Sequence, residues 1–300
     1  MLHHTQSIPF AGVAMAALAF CLSACTAMGK APEKGPTLSV MAWNIWHGGR
    51  EDGETLGPQK VIEVIRASGA DLVAMQETYG SGELIREALG FHFQPRGTNV
   101  SIHSRYPILA DVSVFEEFKC CAAVVAVPDF GPVVFVALWL PYGDDIWLPG
   151  ARAGLSAEAL RDAGLPSTRD LKTLLPALES RLQEEGWGTA PVLIAGDFNS
   201  MSHLDYTEDA VAQYGHVVPW TSSVLMESHG YRDGYRRAHP VVDRVADRTW
   251  SPRFPEQEAD RIDFVYDRRN PWRVLGAERI DSHPQGFPSD HAAVVVHYGR

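Results

Sequence analysis

The chain has 300 residues with 37 Asp and Glu against 26 Lys and Arg, a formal net charge of −11, and 45% hydrophobic and 10% aromatic residues. That acidity works against tight binding of a long nucleic acid, which draws on many Lys and Arg contacts to phosphate, each releasing counterions. The apolar content suffices for a proper core. After the N-terminal apolar stretch no run is long enough to span a membrane, and there is no internal repeat or low-complexity block.

An apolar stretch from Ile8 to Leu22 is too short for a comfortable membrane span of about 20 residues. It ends in Leu22-Ser23-Ala24-Cys25, which resembles the lipobox of bacterial lipoproteins. The expectation is a signal peptide over residues 1–24, acylated Cys25 as the first mature residue, and a flexible tether over 25–36. Thr26 rather than Asp behind the cysteine points to the outer membrane, so the protein is expected to be lipid-anchored in the bacterial cell envelope. The head of the segment carries His3 and His4 but no Lys or Arg, which leaves a plain secretory or periplasmic signal, with Cys25 incidental, as the competing reading.

Residues 37–300 suit one domain. Five segments in this span end an apolar run on a polar side chain: VMAWN at Asn44, LVAMQE at Glu77, PVLIAGDFN at Asp197 and Asn199, RIDFVY at Asp263, and SDHAAVVV at Asp290 and His291. Each run reads as a buried strand, which sets the polar residue at a strand end. Singly, these residues are ordinary caps, turns or paired core carboxylates. Together they place several carboxylates at the edge of a core, which costs several kcal/mol or more unless a dication and mutual hydrogen bonds offset it.

Between these segments the spacing predicts a helix over Pro58–Ser68, with Val61, Ile62 and Ile65 on one face. A longer helix is predicted over Ser167–Leu182, with Ser167 and Asp170 as a capping-box-like start. Cys120 and Cys121 are adjacent in a strand and face opposite ways, so they read as two small buried hydrophobes rather than a disulfide. Tyr142–Pro166 and Ser200–Arg248 are long excursions expected to rim a cleft, the second bringing Arg232, Arg236 and Arg237 as a cluster for anions or, in the commoner case, an ion-paired surface. Trp250, in Thr249-Trp250-Ser251-Pro252, is equally a core residue or a pocket wall.

The ordered set Gly196-Asp197-Phe198-Asn199, Arg261-Ile262-Asp263-Phe264 and Ser289-Asp290-His291, with Ser104-Arg105-Tyr106-Pro107-Ile108, resembles the endonuclease/exonuclease/phosphatase superfamily over Leu38–Val296. The resemblance implies an α+β fold, a four-layer α/β/β/α sandwich of two mixed sheets flanked by helices. It implies Glu77, Asn44 and Asp290 as a Mg²⁺ site, or Mn²⁺ in its place. Asp197 then accepts a proton from the attacking water, Asn199, two positions on in an extended segment, donates to the phosphate, and His291 serves a phosphate oxygen with Asp263 holding its other nitrogen. Arg105, Trp139 and Tyr142 are taken as substrate contacts. Trp139 stands where relatives carry His or Tyr, and an indole donates a hydrogen bond but not a proton.

The expected activity is therefore metal-dependent hydrolysis of a small phosphodiester, a phosphomonoester or a lipid headgroup. A periplasmic or surface nuclease is the alternative, nucleic acid being the less favoured partner, and a degenerate envelope binding module is the third reading. No obligate protein partner is evident.

Overall fold

The computed structural model of the protein describes residues 35–300. The expected signal segment, Cys25 and most of the tether lie outside the described residues. The first half runs β1 (Thr37–Asn44), α1 (Trp46–Gly49), α2 (Leu56–Ser68), β2 (Leu72–Gln76), α3 (Gly82–Leu89), β3 (His92–Arg96), β4 (Val100–Ser104), β5 (Ile108–Asp111), β6 (Cys120–Val127) and β7 (Gly131–Trp139). Then come α4 (Ala157–Ala163), α5 (Leu165–Glu184), β8 (Val192–Asp197), α6 (Val211–Tyr214), α7 (Thr221–Ser228), β9 (Arg232–Asp233), α8 (Gly234–Ala238) and α9 (Arg244–Asp247). The last three strands are β10 (Asp263–Arg268), β11 (Arg273–Ile280) and β12 (Ala293–Gly299).

The strands form two six-stranded sheets, ordered β11-β12-β1-β2-β4-β3 and β5-β6-β7-β8-β10-β9. Period-two alternation builds the layers. Val40 and Ala42 of β1, Ala74 of β2, Phe135 and Ala137 of β7 and Ala195 of β8 meet in the core between the sheets. Met41 and Trp43 turn outward onto Val61, Ile62 and Ile65 of α2. Val136 and Ile194 turn outward onto Leu171, Leu174, Leu175, Leu178 and Leu182 of α5. Helix, sheet, sheet and helix are thus stacked in the four layers that the family resemblance implied. Cys121 faces the central core and Cys120 the outer one, both as free thiols, and burial pushes each up to about 12.

Three local expectations are corrected. Helix α5 starts at Leu165 behind Gly164, with Pro166 in its first turn, because Ser167 donates its hydroxyl to the Pro141 carbonyl and Asp170 pairs with Lys119 instead of capping. The Ser200–Arg248 excursion does not rim the cleft. Its residues Met201, Tyr206, Tyr214, Val218 and Trp220 form a core of their own with Ile146 and Trp147 from the first excursion. Nor do its arginines offer free charge: Arg236 is buried on Asp205 and Asp247, while Arg232 and Arg237 both pair with Asp267. Asp205 and Asp233 also hold the fully buried Arg261, at 2.7 Å each, two residues before Asp263.

Among the described residues no helix is long and apolar enough to cross a membrane.

Candidate active site

Strand register assembles the site. β1 and β2 run parallel with Asn44 opposite Gln76, so the next residue, Glu77, emerges beside Asn44. β7 and β8 run parallel with Trp139 opposite Asp197, and antiparallel β10 begins with Asp263 opposite the same Asp197. Close approach demands glycine just below: a Cβ on Gly196 would lie 2.0 Å from the Leu138 carbonyl oxygen. The stretch before β12 is pinned to β1, since Ser289 Oγ donates to the Asn44 carbonyl at 2.6 Å and Trp43 Nε1 donates to the His291 carbonyl at 3.0 Å. Side chains from both sheets therefore reach one end of the sandwich. There Glu77, Asp197, Asn199, Asp290 and His291 line a cleft of about 220 Å³ together with Trp46, His47, Trp139, Tyr142, Asp145, Trp147, Leu148 and Trp250, with Asn44 and Asp263 behind them.

The hydrogen bonds define individual roles. Asn44 Nδ2 donates to Glu77 Oε1 and Asp197 Oδ2, both at 3.1 Å, and its Oδ1 accepts from the Trp46 N–H. Asn44 is therefore a bridge that fixes two carboxylates. Asn199 is not in an extended segment: its φ is 45°, its N–H returns to Asp197 Oδ1, and its Nδ2 donates to Leu140 O and Asp197 Oδ2. Both amide hydrogens are engaged, so in this state Asn199 buttresses Asp197 rather than reaching toward a substrate. Asp263 Oδ2 lies 2.9 Å from His291 Nδ1, and His291 Nε2 lies 3.8 Å from Asp197 Oδ2. Thr249 Oγ1 accepts the Ile262 and Asp263 N–H groups and so sets the start of β10.

The electrostatics follow from burial. Asp197 is fully buried, and desolvation pushes its carboxyl well above the usual range, with the His291 charge opposing and the Asp263 charge adding to the shift. Burial works against a charged His291, yet the Asp263 and Asp197 carboxylates outweigh it and hold the imidazolium well above the ordinary histidine value. Burial and the neighbouring Glu77 charge raise Asp290 to about 6, against the pull of His291.

Asp197, Asp263 and His291 could themselves surround a cation, their ligand atoms lying within 4.8 Å of one another. Both Asp197 oxygens and Asp263 Oδ2 are committed, however, to the Asn44, Asn199 and His291 hydrogen bonds, which leaves Asp263 Oδ1 as the one unpartnered carboxylate oxygen of the three residues. Asp290 Oδ1 is buried without a partner, and beyond burial the Glu77 charge raises Asp290 more than the Asp263 charge does. Two like charges with an orphaned oxygen fit a hard divalent cation better than they fit an apo core. Glu77 and Asp290 are thus the residues that would hold it, with Asn44 orienting Glu77.

Backbone strain gathers here as well. Trp46, His47, Glu77 and Asn199 all have positive φ, of 55°, 49°, 56° and 45°, conformations that cost about 1–3 kcal/mol each in a non-glycine residue.

The chain matches the Endonuclease/Exonuclease/phosphatase family over residues 41–291, a span that contains every one of these side chains. The chain belongs to that family. It is 26% identical over 301 residues to protein F14F9.5 of Caenorhabditis elegans, covering 87% of this chain and 91% of that one. Among solved structures, truncated C. elegans TDP2 superposes with a TM-score of 0.61 at 15% identity, over 89% of this chain and 99% of its own. The family protein of Beutenbergia cavernae gives 0.56 at 20% identity, over 88% and 71%. D. rerio TDP2, complexed with single strand DNA product, gives 0.56 at 16% identity, over 88% and 99%. At these identities the likeness speaks to the two-sheet fold of the family.

Position separates the remaining expectations. Trp139 and Tyr142 line the cleft, and Trp250 does so too, its ring 4.9 Å from that of His291. Arg105 does not. It is exposed and bonded to Asp71, which precedes β2, whereas Glu77 follows that strand, so Arg105 lies at the opposite end of the sheet. Asp145, Trp147 and Leu148 line the cleft from the Tyr142–Pro166 excursion expected to rim it, whereas sequence reasoning missed Trp46 and His47 as cleft walls. It also missed Asn99, whose Oδ1 accepts the Glu77 N–H at 2.8 Å. The signal at hand for the first pair was Trp46-His47-Gly48-Gly49 directly after a strand, where glycines permit a tight left-handed turn.

Proposed function

We propose that the protein hydrolyses a small phosphoester with the help of a divalent cation, Mg²⁺ or Mn²⁺, by in-line attack of water on phosphorus. The observation that carries this reading is the buried Asp197–His291–Asp263 arrangement, with 3.8 Å between the Asp197 carboxylate and His291 Nε2. Asp197, its pKa raised by burial, takes the proton of the attacking water. The His291 imidazolium, held by Asp263, donates from Nε2 to a non-bridging phosphoryl oxygen as negative charge builds there. Asn44 and Asn199 keep the Asp197 carboxylate aimed throughout. When bound at Glu77 and Asp290, the cation supplies charge neutralisation to the phosphoryl and leaving oxygens. Trp139 in the wall supplies no proton to a poor leaving group, which favours substrates whose alcohol departs as a stabilised anion.

A nuclease reading draws on the D. rerio TDP2 complexed with single strand DNA product. It is opposed by the cleft, where none of the lining residues among the described ones is Lys or Arg. Nicking of a supercoiled plasmid and cleavage of bis(4-nitrophenyl) phosphate, run in parallel with Mg²⁺, test the choice. Efficient diester cleavage with an intact plasmid supports the small-substrate reading, and the reverse ranking refutes it.

The membrane anchor through Cys25, and a place in the bacterial envelope, form part of the proposal on the lipobox-like sequence alone. Labelled palmitate retained by the wild type and lost in Cys25→Ser is the result it requires.

A further inference from the structure

The family chemistry leaves one part of the cleft unused. Tyr142 and Trp147 both line it, with ring centroids 6.1 Å apart and planes at 87°, an edge-to-face aromatic corner in which Tyr142 is exposed and Trp147 largely buried. Between them in sequence stands Asp145, an exposed carboxylate that also lines the cleft, accepts the Trp147 N–H at 3.2 Å, and pairs with no cation among the described residues. The backbone between Asp145 and Trp147 is tied to the core behind it. Arg152 donates to the Ile146 carbonyl at 2.9 Å and to the Tyr206 hydroxyl at 2.9 Å, and is ion-paired with Asp260. The cleft as a whole is lined by Glu77, Asp145, Asp197 and Asp290 but by no Lys or Arg among the described residues.

An exposed tyrosine ring backed by a tryptophan, with a carboxylate beside it and no basic side chain, suits a cation better than an anion, because the ring face carries negative quadrupole density. The phosphate of a substrate is served by His291 and the metal-binding carboxylates, so the corner is left for another part of the same molecule. We infer that the Tyr142–Asp145–Trp147 corner is a specificity site for a positively charged alkylammonium group on the phosphoester substrate. This rests on the hydrolase reading for the phosphate end, but the corner's affinity is measurable without turnover.

The experiment is calorimetric titration of the full-length protein, in Mg²⁺, with choline phosphate and with its neutral carbon isostere, 3,3-dimethylbutyl phosphate. The two ligands share shape and phosphate and differ in one positive charge. Choline phosphate is expected to bind about tenfold tighter or more. In Asp145→Asn and in Tyr142→Ala, both at exposed positions, the ratio of the two affinities is expected to fall toward one. Equal affinities in the wild type, binding of neither ligand, or a preference that survives both substitutions overturns the inference. Tighter binding of thymidine 5′-phosphate than of either ligand also overturns it and assigns the corner to a nucleobase. Bis(4-nitrophenyl) phosphate turnover in the same preparation separates the two claims. Cation preference without turnover keeps the corner and sinks the hydrolase, and turnover without preference does the reverse.

Discussion

Replacing Asp263 by Asn removes one charge from the centre of the site while preserving its shape. Asp263 is fully buried, its Oδ2 sits 2.9 Å from His291 Nδ1, and its Oδ1 has no partner. The amide carbonyl of the variant can still accept the Nδ1–H, so what is lost is the charge assistance, worth about 1.5–3 kcal/mol. If that assistance operates in the transition state, kcat falls roughly 10- to 150-fold. The pH dependence carries the sign. Asp263 is the largest influence raising His291 against burial, so Asp263→Asn lowers the imidazole pKa and the alkaline limb of the rate profile moves to lower pH. Stability follows the same linkage. A histidine whose folded pKa is raised contributes fully below its unfolded value of about 6.5 and loses that contribution as pH rises through the folded value. Urea unfolding is therefore expected to show the largest cost of Asp263→Asn in mild acid and a smaller cost at alkaline pH. A kcat and alkaline limb equal to wild type, with a pH-independent stability cost, would refute the reasoning.

Other substitutions probe separate parts of the account. Asp197→Asn is expected to lower kcat by about 10²- to 10⁴-fold, with near-ultraviolet circular dichroism unchanged, and an active variant removes Asp197 from the proton transfer. Arg261→Ala strands Asp233 in the interior and leaves Asp205 with Arg236 alone, and it is expected to cost about 3–5 kcal/mol in chemical denaturation, because breaking a buried pair leaves an uncompensated charge. A loss below about 1 kcal/mol would mean those carboxylates are relieved elsewhere. Trp139→His supplies a titratable group at the cleft wall, and the ratio of alkyl to aryl phosphodiester turnover is expected to rise. An unchanged ratio shows that leaving-group protonation does not limit the rate.

The strand ends were legible because VMAWN, LVAMQE and VLIAGD are unbroken apolar runs that read as strands buried on both faces, while the four-layer stacking was implied by the resemblance of the ordered motifs. The polar residue ending each run then falls at one end of the sandwich. What stayed hidden depends on contacts distant in sequence. Arg105 looked like part of a site, but the strand it follows runs antiparallel to β2, which carries it to the end away from Glu77. The polar excursion after Ser200 read as exposed because its charges are indistinguishable from surface ones until Arg236 and Arg261 meet Asp205 in the interior. Trp147 sits in a stretch without periodicity, and its place in the wall depends on packing against Tyr206, Trp220 and other residues distant in sequence.

The most direct test of the central claim is hydrolysis of bis(4-nitrophenyl) phosphate and of its monoester by the full-length protein, with EDTA, Mg²⁺ or Mn²⁺, and with Asp197→Asn alongside. Turnover that requires the divalent ion and disappears in the variant is the predicted result. Turnover that persists in EDTA or in Asp197→Asn, or silence on both esters with either ion, would contradict it.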